Sequence, residues 1–353
     1  MLNNANMMGV TQTTLSPDTR MRAAVLAEPG RIEMELRPVP TPQPGDVLIR
    51  VSSVGVCGSD THYYRHGRVG GFVVKAPLVL GHEAAGTIVG VGDSVDPARI
   101  GQRVSIEPQR PDPDSSETRR GHYNLCPQMR FFATPPVDGA LCEYVTIGAD
   151  FAHPVPDSMS DDAAALCEPL SVGIAAIRKA ELDGRSRVLI AGAGPIGIVM
   201  TQLARAYGAT EIVVCDPDPA RRDRAMTFGA TTVIDPTRDG TDDLAVDAFI
   251  DASGAAAAVA AGIRAVRPAG RVVLVGSGAE SMELPTQLIQ NRELVLTGVF
   301  RYANTWPTAI ALVETGRVDL DAMVTARFPL EKAAEALDSD RIPGSVKSVV
   351  TVS

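Results

Sequence analysis

The six residues Gly-Ala-Gly-Pro-Ile-Gly at 192–197 fit the pattern Gly-x-Gly-x-x-Gly. They directly follow an apolar strand-like run and open a helical pattern that continues to about residue 207. In that setting the first glycine allows a tight turn, the second lets the backbone approach a pyrophosphate, and the third lets helix and strand pack closely. The pattern alone also fits an ordinary strand–turn–helix, but its context favours a dinucleotide site made by Gly192, Gly194, Pro195, Ile196 and Gly197.

An acidic residue ends the next strand-like run and indicates which dinucleotide binds. Asp216 follows Gly197 by 19 residues. There a carboxylate can accept hydrogen bonds from ribose hydroxyls and would repel a 2′-phosphate. Arg221 follows closely and could stack near the adenine or be a solvated helix charge, and the pair it forms with Arg222 weakens the exclusion of NADP slightly. We therefore predict NAD as the cofactor.

A second set of residues carries donors for a metal ion. Cys57 lies at a strand-to-turn junction, and His82 and Glu83 follow about 25 residues later, again at a turn. Glu168 adds a carboxylate where the two halves of the chain meet. Zinc accepts thiolate, imidazole and carboxylate donors, and a catalytic zinc keeps one position open. The combination, rather than any single residue, predicts a zinc site beside the nicotinamide, with either Glu83 or Glu168 as the carboxylate.

Two kinds of element surround these residues. From Met21 to about Ser160, β-branched runs such as 46–56, 84–92 and 103–108 alternate with glycine and proline and predict a β-rich domain. From Asp161 onward, an alanine-rich helix precedes strands that alternate with helices, including strands at 248–254, 271–278 and 293–300. This spacing predicts parallel βαβ units and a doubly wound α/β sheet. After Trp306 a helix and short strand-like runs follow, which resemble the pattern of the first half.

Composition argues against several classes of function. The 353 residues carry a net charge of −9, which speaks against a nucleic-acid surface and against attraction to anionic lipid. Five cysteines, scattered and odd in number, predict a reducing, cytoplasmic setting without a disulfide framework. Residues 1–20 contain no signal-peptide pattern and are predicted to be a disordered extension. No apolar run approaches the roughly 18 residues that a membrane span needs.

Several longer runs resemble one family of enzymes. They are GVCGSDTHYYRHGRVGGFVVKAPLVLGHEAAGTIVGVG, GHYNLCP, FFATPPVDGALCEYV, CEPLSVGI, GAGPIG and FRYANTWPTAIALVETGRVDL. They resemble the zinc-dependent medium-chain dehydrogenases, and more narrowly the sorbitol (polyol) dehydrogenase branch, which includes xylitol dehydrogenases. The resemblance implies a GroES-like β-rich catalytic domain over 21–165 and 305–353, a Rossmann NAD-binding domain over 166–304, and a homo-oligomer, usually a tetramer.

The same resemblance implies roles for single residues. Cys57 and His82 match the family's zinc ligands, and either Glu83 or Glu168 completes the set, with water bridging one of them to the metal. Cys167 stands where the family usually has an apolar residue; the register of the motif favours Glu168 as the ligand and Cys167 as a packing residue, with Cys167 as an alternative third ligand. Ser59 matches the hydroxyl that passes protons away from the substrate, beside the catalytic Glu168. The implied substrate-binding residues are Tyr63, Phe131 or Phe132, Glu168, Arg301 and Tyr302; the implied nicotinamide contacts are Val275, Gly276, Ser277, Val299, Phe300 and Arg301.

The resemblance also implies a reaction and its competitors. We expect one catalytic zinc per subunit and reversible oxidation of a secondary alcohol of a polyol to the ketose, with NAD⁺ accepting the hydride. A sister reaction on threonine or a butanediol is the first alternative. A non-enzymatic NAD-binding or lens-type structural protein is the second, although such proteins typically lose the zinc ligands that are present here.

A single cysteine at 126 indicates that a second metal site is missing. Many relatives carry a structural zinc in a lobe with four cysteines spaced C-x2-C-x2-C-x7-C. Counting back from Cys126 places Thr118, Ser115 and Asp112 at the other three positions. Hydroxyls are poor zinc donors, so we expect a lobe without metal, held by other contacts such as an ion pair between Asp114 and Arg119.

Overall fold

The computed structural model describes residues 19–352. The extension predicted at 1–20 therefore lies outside the described residues except for its last two positions, and Arg20 already belongs to the first strand. Within the described range, no helix has the length and the apolar character needed to cross a membrane.

Short strands build the first half of the chain, and the runs predicted at 46–56, 84–92 and 103–108 are among them. The strands are β1 (Arg20–Glu28), β2 (Arg31–Pro38), β3 (Asp46–Gly55), β4 (Arg68–Val69), β5 (Phe72–Val73), β6 (Leu78–Val79), β7 (Glu83–Val91), β8 (Arg103–Ile106), β9 (Gln109–Arg110), β10 (Arg130–Phe131), β11 (Tyr144–Gly148) and β12 (Ala152–Pro154). Two short helices, α1 (Gly58–His66) and α2 (Ser116–Arg119), lie between them.

The helix predicted to begin at Asp161 forms, but in two pieces. Ser160 accepts a hydrogen bond from the Ala163 amide at 2.9 Å and starts α3 (Asp161–Ala165). After a break at Leu166, α4 (Cys167–Ala180) follows. Pro169 accounts for the break, because it has no amide hydrogen to continue a helix from α3, whereas the first turn of a new helix requires none there. The break places Glu168 in the first turn of α4.

The second half forms a parallel sheet with helices on both faces. It contains β13 (Arg187–Ala191), α5 (Pro195–Ala206), β14 (Glu211–Cys215), α6 (Pro219–Thr227), β15 (Thr232–Ile234), β16 (Val246–Asp251), α7 (Ala256–Ala265), β17 (Val266–Leu274), α8 (Thr286–Asn291) and β18 (Val295–Gly298). Alternate residues of β13 face opposite sides: Val188 and Ile190 pack in the core that contains α4 and α5, whereas Leu189 packs with α7. The predicted doubly wound sheet is confirmed.

The strand order places a crevice at the glycine turn. The order is β15-β14-β13-β16-β17-β18, and every neighbouring pair is parallel. The chain leaves β13 toward β14 on one side and later returns to β16 on the other. At such a switch point the connections after the two strands diverge, and ligands bind outside the carboxyl ends of the strands.

The C-terminal residues return to the sheet of the first half. They form α9 (Trp306–Glu314), β19 (Val324–Pro329), α10 (Ala333–Leu337) and β20 (Lys347–Thr351). The larger sheet has the order β12-β8-β7-β3-β20-β19, with β11 also paired to β3. The predicted limits 21–165, 166–304 and 305–353 stay a prediction. Trp306 and Leu312 are buried in the same core as Leu203 of α5, and β19 and β20 then join the first sheet through the pairing of β20 with β3.

Candidate active site

Three of the predicted metal donors lie together. One atom each from Cys57, His82 and Glu83 can be chosen so that all three lie within 4.8 Å of one another. The pairing of β3 with β7 explains this, because Gly55 lies opposite Glu83 in the ladder and the two ligand-bearing segments continue from there. Gly55 also makes room for the carboxylate, since a Cβ at this position would lie 2.0 Å from Glu83 Oε2.

A buried carboxylate that the sequence analysis did not assign connects the two ligand-bearing segments. Asp60, in the first turn of α1, accepts hydrogen bonds from the amides of Cys57 at 3.2 Å and Gly81 at 3.0 Å. Its Oδ1 lies 3.4 Å from Nδ1 of His82. Burial acts to raise the pKa of Asp60, but a charge on His82 and these hydrogen bonds lower it below its ordinary value. A contact at Nδ1 leaves Nε2 as the ring nitrogen available to a metal.

Glu83 has one partnered and one unpartnered oxygen. Lys347 of β20, itself buried, contacts Oε1 at 2.5 Å and donates a second hydrogen bond to the carbonyl of Val56 at 2.8 Å. Within residues 19–352, Oε2 is buried without any hydrogen-bond partner. An unsatisfied buried carboxylate oxygen costs free energy unless a cation binds it. Thiol, imidazole and this oxygen form a donor set that fits zinc.

Glu168 borders this cluster without joining it. Its Oε1 accepts a hydrogen bond from the hydroxyl of Tyr302 at 2.7 Å, and both side chains are buried. Burial raises the pKa of Glu168 to about 7; a charge on His82 opposes the rise and the carboxylate of Glu83 adds to it. Cys167 instead donates to the carbonyl of Ala163 at 3.5 Å, and burial raises the pKa of its thiol to about 12, as expected for a packing residue.

A cation and aromatic rings lie on the other side of the cluster. The Phe131 ring packs against the His82 ring, with centroids 5.6 Å apart, and the guanidinium carbon of Arg301 lies 3.9 Å from the Phe131 centroid. Arg301 has a left-handed backbone (φ 58°), and its guanidinium donates to Thr134 Oγ1 at 3.4 Å. Tyr63 is buried nearby, and burial followed by the charge of Asp60 raises its pKa.

The positions of two other predicted site residues, Ser59 and Phe132, follow from the elements that carry them. Ser59 lies in the first turn of α1, half-buried and two positions beyond Cys57. Phe132, the alternative to Phe131, is buried on a different side of the domain, where it lines a cavity with Cys142 and Tyr144.

The glycine turn has the geometry that its pattern predicts. Gly192 has φ 96°, a backbone conformation that favours glycine, and a Cβ at Gly197 would lie 1.8 Å from the carbonyl oxygen of Gly192. A Cβ at Gly194 would meet nothing, so its missing side chain opens space in front of the turn rather than relieving a contact within the protein. Pro195 begins α5, whose amide end faces that open space together with Ile196.

Asp216 anchors the turn as well as facing it. Its carboxylate is buried and accepts hydrogen bonds from the amides of Ala193 and Asp218, each at 2.9 Å. Arg221 is exposed and lies 4.0 Å from Asp216 and 3.8 Å from Asp218. The guanidinium therefore stays close to the carboxylate predicted to bind ribose.

The predicted nicotinamide contacts follow adjacent parallel strands. The amides of Val275 and Gly276 both bond the carbonyl of Asp251, and Ser277 comes next in the same loop after β17. Val299, after β18, donates to the carbonyl of Leu274 at 2.9 Å, and Phe300 is half-exposed beside Arg301. These loops extend from the same edge of the sheet as the glycine turn.

A cleft of about 330 Å³ joins the glycine turn to the metal cluster. Cys57, Glu83 and Lys347 line one side, and the turn residues Gly194, Pro195 and Ile196, with Arg221, line the other. Two residues of this region, Asp60 and Lys347, are not predicted from the sequence. Asp60 is an acidic residue three positions after Cys57, which could have indicated a helix cap, whereas nothing local to Lys347 predicts its partner.

The lobe around Cys126 brings together the positions counted back from it. Cys126 Sγ accepts from the amide of Asp112 at 3.2 Å, and Ser115 donates to the hydroxyl of Thr118 at 2.8 Å. The predicted ion pair is present, with Arg119 2.6 Å from Asp114, and both side chains are largely exposed. Hydrogen bonds among neutral groups thus connect the four positions.

Comparisons with known proteins agree with this arrangement. The family profile of the alcohol dehydrogenase GroES-like domain matches residues 43–157, and that of the zinc-binding dehydrogenases matches residues 195–315. The sorbitol dehydrogenase of Homo sapiens is 43% identical over 325 residues, which cover 89% of this chain and 91% of that protein. The chain belongs to the zinc-binding medium-chain dehydrogenases.

Solved structures of two dehydrogenases share the whole fold. L-idonate 5-dehydrogenase from Escherichia coli superposes with a TM-score of 0.89 at 29% identity, covering 95% of this chain and 99% of that one. An alcohol dehydrogenase from the same species, in complex with the cofactor NADH, also has a TM-score of 0.89, at 27% identity and with 94% and 99% of the two chains covered. The predicted fold class, a GroES-like domain plus a doubly wound dinucleotide-binding domain, is confirmed.

Proposed function

We propose that this zinc-binding dehydrogenase oxidises a secondary alcohol of a polyol, such as sorbitol or xylitol, to the ketose with NAD⁺. The observation that carries the proposal is the polar pocket beside the metal donors. Arg301, Tyr63 and the Tyr302–Glu168 pair provide hydrogen-bonding groups in a largely buried setting. A site of this kind suits a substrate with several neighbouring hydroxyls and rejects analogues that lack them. The identity of 43% with a sorbitol dehydrogenase supports the same substrate class.

Cys57, His82 and Glu83 would hold the zinc, with Glu168 at the open side. The unpartnered Oε2 of Glu83 favours this residue over Cys167, whose thiol is bonded within its own helix. Zinc supplies a Lewis acid that favours loss of the proton from a substrate hydroxyl. Asp60 orients His82, and Lys347 fixes the second oxygen of Glu83, so the donors are positioned before metal binds.

The chain's own groups bind the cofactor and move the proton. Gly192, Gly194, Pro195, Ile196 and Gly197 would bind the pyrophosphate, Asp216 the ribose, and Arg221 the adenine side. Val275, Gly276, Ser277, Val299 and Phe300 would contact the nicotinamide, where NAD⁺ provides the hydride acceptor. Ser59 would accept the proton from the substrate hydroxyl and pass it outward. Arg301, Tyr63 and Tyr302 would hold the remaining hydroxyls and select the carbon that reacts, with Phe131 closing the apolar side.

The protein would act as a homo-oligomer, a tetramer in our proposal, in the cytoplasm. The edge strand β18 exposes Val295 and Leu296, and an edge strand with apolar side chains pairs readily with another chain. The five cysteines, all in the described range, are unpaired, which fits a reducing compartment.

A substrate panel tests the proposed reaction. Purified zinc-loaded protein should produce NADH from sorbitol, xylitol, galactitol or L-arabinitol, and much less from threonine or 2,3-butanediol. Turnover of threonine or butanediol alone would move the protein to the sister reaction. Tight NADH binding with neither zinc nor turnover would support a structural role instead.

A variant at Arg301 tests the role of the polar pocket on which the proposal rests. Arg301→Gln should lower kcat/KM for the best polyol by about 10–100-fold, because a charged hydrogen bond contributes about 1.5–3 kcal/mol. Turnover of a simple secondary alcohol without neighbouring hydroxyls should change little. Arg130→Gln, at an exposed arginine of β10, is the matched control and should behave as wild type. Equal losses with both alcohols would contradict a role in recognising hydroxyls.

A further inference from the structure

Two histidines lie one helical turn apart on α1, outside the metal cluster already described. His62 and His66 are both exposed, and their ring centroids are 5.7 Å apart with an interplanar angle of 47°. Apart from this ring contact, neither imidazole has a hydrogen bond or an ion pair with any residue of the described chain. Both therefore keep free ring nitrogens that point to solvent or to a ligand.

The spacing of these rings fits one shared metal ion. Histidines at i and i+4 of a helix lie on one face, the arrangement by which helical zinc sites take two of their ligands. With metal–nitrogen bonds of about 2.1 Å, two rings on the same ion have centroids no more than about 6 Å apart. The observed 5.7 Å lies within that limit.

The arginine next to the pair in sequence is itself paired with carboxylates. Arg65 lies between the two histidines in sequence, but Asp338 contacts its guanidinium at 2.8 Å and Asp340 contacts it as well. Among the described residues, no third donor completes a group with the pair, since the cluster of Cys57, His82 and Glu83 is the one set of three or more there. Water would fill the remaining positions, which makes the site open and exchangeable.

The two histidines line the cleft in which the cofactor is proposed to bind. His62 and His66 line the same cleft of about 330 Å³ as the glycine turn (Gly194–Ile196) and Arg221. An ion with its water ligands at this wall would occupy part of the volume that the cofactor is proposed to use.

We propose that His62 and His66 form a second, exchangeable site for a divalent transition-metal ion, and that occupation of this site hinders cofactor binding. Imidazole donors favour Ni²⁺, Cu²⁺ and Zn²⁺ over Mg²⁺ or Ca²⁺. The effect on the cofactor rests on the proposed function, whereas metal binding by the pair does not.

Nickel titration of the zinc-loaded protein tests the binding site. Calorimetry should show one Ni²⁺ per chain in addition to the resident zinc. His66→Gln should weaken this binding at least about tenfold, because the second imidazole is held next to the first and binds the same ion without a further loss of freedom. His62→Gln should do the same, and His122→Gln, which removes an exposed histidine of the lobe around Cys126, is the matched control. Wild-type affinity in both pair variants would overturn the proposal.

A kinetic measurement tests the consequence separately. In wild type and in His122→Gln, added Ni²⁺ should raise the KM for NAD⁺ several-fold while kcat at saturating NAD⁺ changes little. In His66→Gln the same Ni²⁺ concentration should leave the KM for NAD⁺ unchanged. Nickel binding to the pair without a change in KM for NAD⁺ would overturn the cofactor effect, and a failure of all polyol turnover would count against the proposed function and not against the site.

Discussion

The metal cluster at Cys57 and the lobe at Cys126 are two cysteine-containing loops of one domain, held in different ways. At Cys57 the neighbours are ionisable: His82, Glu83, Asp60 and Lys347, all buried. At Cys126 the neighbours are a backbone amide and the hydroxyls of Ser115 and Thr118. At Cys57, the Oε2 atom of Glu83 is buried without a hydrogen-bond partner, whereas at Cys126 the amide, thiol and hydroxyl groups bond one another.

This difference indicates what a metal contributes in each place. The amide, thiol and hydroxyl groups of the lobe hydrogen-bond one another, so we expect the lobe to keep its shape without zinc. A buried cluster of charged groups with an unsatisfied oxygen is costly unless a cation completes it. We infer that the Cys57 cluster is built around its metal and that the Cys126 lobe is independent of metal.

The largest expected effect comes from replacing Cys57, with the same replacement at Cys126 as the control. Cys57→Ser should lower zinc content toward zero and kcat/KM by at least about a thousandfold, because the lost metal contributes several kcal/mol to the transition state. Cys126→Ser, the matched control, should keep both zinc and turnover. Metal analysis and polyol kinetics on the two proteins check this. Equal loss of zinc in both would contradict the inferred difference between the Cys57 cluster and the Cys126 lobe.

A gain of metal in the lobe is the next largest effect. In the triple variant Asp112→Cys, Ser115→Cys and Thr118→Cys, the four positions would carry thiols together with Cys126. Because they already lie together, the variant should bind a second zinc and be stabilised by about 2.7 kcal/mol when free zinc is about 100 times its Kd. Thermal unfolding with and without a chelator measures the gain. A variant that stays at one zinc per chain would show that the backbone of the lobe no longer fits a metal.

Removing the orienting carboxylate should weaken the cluster without abolishing it. Asp60→Asn keeps the shape but loses the charge that faces His82, and zinc affinity should fall about 10–100-fold. Competition with a chromogenic chelator measures this affinity. Asp114→Asn in the lobe is the control and should leave the zinc affinity unchanged, while an Asp60→Asn protein with wild-type affinity would remove Asp60 from the account.

The smallest effect concerns the ion pair of the lobe. Arg119 and Asp114 are largely exposed, so Arg119→Ala should lower the free energy of unfolding by no more than about 1 kcal/mol. Urea unfolding followed by circular dichroism gives the value. A loss above about 2 kcal/mol would mean that this pair, rather than the hydrogen bonds at Cys126, holds the lobe.

The parts of the site that the sequence predicts are those with local signals. The glycine turn is followed in sequence by the helix that it opens, so its pattern alone indicates the conformation that the structure has. Cys57 and His82 are each next to a glycine in sequence, and their residue types indicate a metal site. The doubly wound sheet follows from strands and helices that alternate along the chain.

The remaining parts depend on contacts between distant residues. Lys347 contacts Glu83 across 264 positions, because β20 and β7, which carry them, both pair with β3. Asp60 contacts the amide of Gly81 and the ring of His82, which lie just before β7 and far from α1 in sequence. The position of Arg301 over the Phe131 ring requires a left-handed backbone at a residue other than glycine, which composition does not reveal. Resemblance indicated Arg301, but the sequence has no physical signal for its geometry.

X-ray absorption at the zinc edge of the wild-type protein distinguishes the two cysteine sites, because it counts the sulfur ligands of the metal. We expect one zinc per chain, with a single sulfur ligand, that of Cys57, at about 2.3 Å from the metal and the remaining ligands nitrogen or oxygen at about 2.0–2.2 Å. Two or more sulfur ligands per zinc, or a second zinc bound by the lobe, would contradict it.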